Sequence, residues 1–168
     1  MVLRIMTNTF DRKVYDISYI DRTRMFYRAQ GYTSDYKWAK HSTTPIAKMS
    51  KDIADCRVGL ITTAMPNTEK GRTCRDIYSV KCDPIPESMY TSELSWDKTA
   101  THTKDVGSFL PIAALKNAAS EGLIGGAAPC FYTVPTDYSQ RNTTKFDSPR
   151  IFEHFVQNNI DVAILVPL

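Results

Sequence analysis

The last nine residues, 160–168 (IDVAILVPL), are almost wholly apolar and carry branched side chains in succession. The run is far below the ~20 residues that cross a bilayer. It also lacks the alternation of a strand with one wet face. A continuous short run of this kind reads as a strand covered on both sides, the pattern of a central strand in a parallel sheet. Parallel neighbours need crossover connections, so the rest of the chain has to supply helices.

It does. Residues 56–63 (CRVGLITT) form a second buried strand, and 75–80 a weaker one followed by Pro84 and Pro86. Pro111 opens an alanine-rich helix that Gly122 ends, and 123–128 is another apolar run. Residues 147–158 read as a helix with Pro149 in its first turn and Ile151, Phe152, Phe155 and Val156 on one face. A further helix is expected over 16–30, stopped by Gly31. The expected fold class is α/β, a parallel sheet with helices on both faces, with a ligand site outside the carboxyl ends of the strands. Because a strand comes last with no helix after it, the domain is expected to be incomplete at its C-terminus. The expected organisation is an N-terminal helix and wrapping arm over 1–52, then an α/β domain over 53–168.

Composition narrows the function. A net charge of +3, with 21 basic residues scattered as singles and pairs, gives no nucleic-acid footprint. The first residues have no apolar core of signal-peptide length, so a cytoplasmic location and no membrane partner are expected. Cys56, Cys74, Cys82 and Cys130 are too far apart in sequence for a zinc site and read as reduced thiols. No metal is expected, and His41, His102 and His154 show no ligand spacing.

Several segments, in order, resemble one family. ISYIDRTRMFYRAQGYTSDYKW, CRVGLITTAMP, DVGSFLPIAAL, SEGLIGGAAPCFYTVP and the terminal DVAILVPL are similar to the selenoprotein B family of glycine, sarcosine and betaine reductases and the related D-proline reductase subunit. The resemblance implies reductive C–N cleavage of a small amino acid or N-methylated amine by a selenol or thiol. A group of that kind is largely ionised near neutral pH and needs no dedicated base. It also implies partner subunits, one of which can carry a pyruvoyl group, and no cofactor within this chain. The family's selenocysteine or cysteine would follow Leu168, so no catalytic residue is expected in the chain itself, and a reading frame ended at an in-frame UGA is the expected reason. Glu93 stands where the family usually carries histidine. That difference points to an alternative, a redox-inactive binding or scaffolding subunit that pairs with an active paralogue. A third reading is an unrelated α/β ligand-binding protein.

The candidate substrate-binding residues lie at expected strand ends. Thr62 and Thr63 leave the first strand, where hydroxyls could hold a carboxylate or simply close the strand. Ser92 and Asp97 flank Trp96 in a loop and match the family; the alternative is a turn bonded to its own backbone. Tyr132, Tyr138, Ser139 and Arg141 fall in the segment 132–141, expected to be a loop, where Arg141 could clamp an anion bidentately. Gly125-Gly126 lacks phosphate-loop spacing and reads as close strand packing. Cys130 is the best-placed thiol, with a structural cysteine as the plainer reading.

Overall fold

The structure, a computed structural model, describes residues 19–35, 42–44, 47–92, 94, 102–137 and 139–168. The chain divides into two units, Met1–Thr44 and Pro45–Leu168. In the first, α1 spans Tyr19–Ala29. Gly31, at φ 89°, ends it as expected: the Tyr32 N–H turns back to the Tyr27 carbonyl at 3.2 Å and the Gly31 N–H to that of Arg28 at 3.0 Å. A side chain at that φ would be strained, which is why glycine stands there.

The second unit is an α/β fold. Its strands are β1 (Arg57–Thr62), β2 (Met65–Pro66), β3 (Tyr78–Lys81), β4 (Met89–Tyr90), β5 (Gly126–Ala127), β6 (Cys130–Thr133) and β7 (Val162–Val166). Its helices are α2 (Glu69–Thr73), α3 (Ile112–Ser120), the single turn α4 (Gln140–Asn142) and α5 (Ser148–Gln157). A five-residue π-helical turn, Thr143–Asp147, joins the last two. In the main sheet β1 is central. One edge of β1 pairs in parallel with β5 and then β6, the other with β7 along Val58–Thr62, and β3 adds antiparallel to β6. β2 and β4 form a separate antiparallel pair just past β1.

Helices cover both faces of the sheet. Val58 and Leu60 of β1 point, with Phe131 and Val162, into a core closed by Ile112 and Leu115 of α3 and by Val106 and Leu110. Ile61 and Tyr132 point the other way and pack with Ile151 and Phe155 of α5. Gly59 lets α5 and its exit lie close: a Cβ there would come to 3.0 Å from Ile160 Cγ2. Gly125 is the member of the glycine pair that meets backbone, that of Asp55 and Cys56, while Gly126 faces open space.

Two expectations are corrected. The terminal run is a parallel strand, but β7 lies at the edge rather than the centre: among the described residues it pairs with β1 alone. The strand expected to end near Ala128 resumes after Pro129 as β6, so Tyr132 lies inside a strand rather than in a loop. Proline has no N–H to give a ladder, and its presence between the two short pairings broke the sequence pattern.

Candidate functional site

The carboxyl ends of β1 and β6 lie side by side, with Thr62 paired to Thr133. Both threonines are on the α3 side of the sheet and both are buried, Thr62 to 1% and Thr133 to 0% exposure. The Thr62 hydroxyl accepts the Ala64 N–H at 3.2 Å, which turns the chain out of β1. Thr133 Oγ1 is different: it is buried and has no hydrogen-bond partner among the described residues, and the same holds for Thr136 Oγ1. A buried hydroxyl without a partner costs free energy, and a bound ion, water or ligand is one way to offset that cost.

Thr63 joins this end of the sheet to β7. The Leu168 N–H donates to Thr63 Oγ1 at 2.9 Å, and the hydroxyl donates to the Leu168 backbone oxygen at 3.4 Å. The exit of β7 is thereby held against the exit of β1. The β2–β4 pairing, which follows β1, sets Met65 opposite Tyr90 and Pro66 opposite Met89. Thr91 and Thr103 share a hydroxyl–hydroxyl bond of 2.6 Å, and Ser92 is exposed. Thr62, Thr63 and Thr133 thus form a cluster of hydroxyls at one end of a mostly parallel sheet. Hydroxyls donate to carboxylates without adding charge, so the cluster suits a small anionic or zwitterionic ligand.

The segment past β6 is held by ion pairs. Arg75, just before β3, pairs through its Nη atoms with Asp147 at 2.8 and 3.2 Å and through Nε with Asp137. Asn142 also donates to Asp137 at 2.9 Å, as does the Ser139 backbone at 3.1 Å. Burial pushes the Asp137 carboxyl up, but the hydrogen bonds from Arg75, Asn142 and Ser139 outweigh it and hold the group down at about 2. A carboxylate depressed in the fold contributes stability above its ordinary pKa of roughly 4, and that contribution is lost as pH falls through the folded value. The loop should therefore open between about pH 4 and pH 2. Acid titration followed by hydrogen exchange in residues 134–142 checks this, and Asp137→Asn is expected to remove the transition.

The remaining expected site residues separate. Ser139 caps α4, accepting the Asn142 N–H at 3.2 Å, and Arg141 is exposed on the same turn. Tyr132 is 1% exposed, stacked near His154 and Phe155, and its hydroxyl accepts from Asn158 at 3.3 Å. Burial raises its phenol pKa above the ordinary value. Its side chain belongs to the α5 core and faces away from Thr62 and Thr133. Asp97 and Tyr138, with Glu93, Trp96 and His41, lie outside the described residues. Cys130 opens β6 as a half-buried free thiol. Cys82 is buried, and that burial, followed by the nearby Cys130 thiol, pushes it up to about 11, so it stays protonated at neutral pH.

Sequence reasoning did not single out Thr91 or Arg75, and it took in Thr133 only as one hydroxyl of the segment 132–141. Distinguishing Thr133 from its neighbours required recognising β6. Among the described residues no group of three or more His, Cys, Asp or Glu is placed to hold a metal, and no helix is long and apolar enough to cross a membrane. No family model, curated protein or solved structure matches the chain.

Proposed function

We propose that the chain is a component of an amino-acid or betaine reductase of the glycine/sarcosine/betaine and D-proline type. In this reading the hydroxyls at the carboxyl end of the sheet hold the substrate. The observation that carries the reading is the pair of Thr63–Leu168 hydrogen bonds. They hold the exit of β7 against Thr63 at the exit of β1, so in this reading a residue following Leu168 would emerge at the same end of the sheet as Thr62 and Thr133. That is where the resemblance would put a selenocysteine or cysteine. Such a group supplies a nucleophile whose electron pair displaces the amine from the α-carbon. The chain's own part is to bind and orient: Thr133 Oγ1 and the neighbouring threonine hydroxyls donate to the carboxylate. The partner subunits and any pyruvoyl group belong to the same proposal and lie outside this chain.

The test is thermal unfolding of the chain with millimolar glycine, sarcosine, glycine betaine or D-proline. One of them should raise the midpoint, by the stabilisation that binding to the folded state alone confers. Thr133→Val, which keeps the shape and removes the hydroxyl, should leave the free protein as stable or slightly more so and cancel the ligand effect. Reading the gene past codon 168 tests the redox part: a selenocysteine or cysteine codon there, with cysteine at x-x spacing, is the expected result. No ligand effect together with no such codon would defeat the proposal.

A further inference from the structure

The connection from α3 to β5 fixes which way the helix runs. β5 is parallel to β1, and only residues 121–125 separate it from the end of α3. Within that connection the Gly125 N–H bonds to the Cys56 carbonyl, just before β1 starts, at 2.9 Å. Lys116, in the second turn of α3, reaches Asp83 at 3.1 Å, just past the end of antiparallel β3. Both contacts lie toward the amino end of the parallel strands. α3 therefore runs antiparallel to β1, and its first turn points toward the carboxyl ends, over the face that carries Thr62 and Thr133.

That first turn is bare. Pro111 precedes it without a side-chain cap, and it holds no acidic residue. The Ile112 N–H is taken by the Leu110 carbonyl at 2.8 Å, but among the described residues nothing takes the N–H of Ala113 or Ala114, and both residues are exposed. Unpaired N–H groups at a helix start, backed by the helix dipole, favour an anion. Alone, such a turn is satisfied by water, and Thr133 sets this one apart. Its side chain leaves β6 on the face of Phe131, which shares one core with Ile112 and Leu110. It is fully buried, and its hydroxyl has no partner among the described residues. A buried donor thus stands at the end of the sheet toward which the helix start points. Thr62, opposite it, accepts the Ala64 N–H and keeps its own proton to give.

We propose that the Ala113 and Ala114 N–H groups and the Thr133 hydroxyl together bind the carboxylate of a small ligand. The backbone donors are fixed by the helix and the hydroxyl by its strand, so the site is ordered before the ligand arrives. All of these groups donate. They therefore select a free carboxylate over its amide, which brings no charge and turns an N–H toward them. In the function proposed above that carboxylate is the substrate's, and only the identity of the ligand rests on that reading.

The test follows the Ala113 and Ala114 amide resonances of the full chain at constant ionic strength. Sodium acetate, acetamide, glycine, sarcosine, glycine betaine and D-proline are added in turn. Acetate should shift both amides along one saturating curve, and acetamide should shift neither. Thr133→Val should weaken acetate at least about tenfold, the weight of a hydrogen bond to a charged group, and Thr133→Ser should restore it. Ala113→Glu, an exposed change that sets a carboxylate on the helix start, should weaken acetate too, and it serves if Thr133→Val fails to fold. Amides that ignore acetate, or that answer acetamide equally, would overturn the proposal. So would a folded Thr133→Val that binds acetate as tightly as the parent. A response to acetate with none to the four amino acids would uphold the carboxylate site and count against the reductase reading.

Discussion

Replacing Arg75 with methionine is expected to lower the unfolding free energy by about 3 kcal/mol, the low end of the cost of stranding one partner of a buried ion pair. The reason lies in Asp147, whose side chain is only 1% exposed and which receives both Arg75 Nη groups. Methionine keeps much of the arginine stem's packing but removes every donor, leaving a carboxylate under the π-helical turn without its counter-charge. The low end applies because the Arg75 side chain is 38% exposed, so water reaches the vacated position and part of the charge is resolvated. Asp147→Asn should cost less, since Arg75 keeps Asp137 and the solvent. If stranding is the cause, Arg75→Met combined with Asp147→Leu should recover much of the loss. Urea unfolding of the four proteins measures this. A loss for Arg75→Met below about 1 kcal/mol would place the pair with ordinary surface salt bridges. Lys116 and Asp83 are a pair of that surface kind, since Asp83 is 89% exposed.

That clamp shows where sequence reasoning stops. Arg75 and Asp147 are 72 residues apart, and nothing local to either marks it as the other's partner. Asp147 reads as an ordinary acidic residue before a helix, followed by Ser148-Pro149, and only the packing of α5 on the sheet shows it to be buried. By contrast β1, α5 and β7 were legible because apolar periodicity is a property of one segment at a time. So was the glycine that ends α1, whose positive φ is a local requirement. β7 was misplaced within the sheet because an apolar run reports that a strand is built to be covered, not which neighbour covers it. The site was half legible. Strand ends led to Thr62 and Thr63, but Thr133 depended on a strand hidden behind Pro129, and Tyr132, read as its loop, faces the opposite core.

Gly71→Ala is expected to destabilise by about 2–3 kcal/mol, toward the upper part of the range for overpacking, and to weaken any ligand that the hydroxyl cluster binds. Gly71 is buried in α2, where the Thr68 hydroxyl accepts its N–H at 3.1 Å. Its helical φ is open to any residue, so the cause is space: a Cβ would overlap the Pro66 carbonyl oxygen, a backbone atom fixed by the β2–β4 pairing. A side chain could rotate away, but a paired backbone has to move as a unit. The unit that would move is the connection leaving β1 at Ala64, which directly follows Thr63. Gly126→Ala is the matched control, since a Cβ there meets nothing within 4 Å, and it should fall within about 0.5 kcal/mol of the parent. Thermal unfolding of both variants, with and without the ligand found for the parent, separates two causes. If Gly71→Ala loses stability but keeps the full ligand shift, the cluster does not depend on the β2 connection, and Thr62 and Thr133 must hold the ligand from the strands alone. If both are lost together, the close approach of α2 to Pro66 is what shapes the mouth of the site.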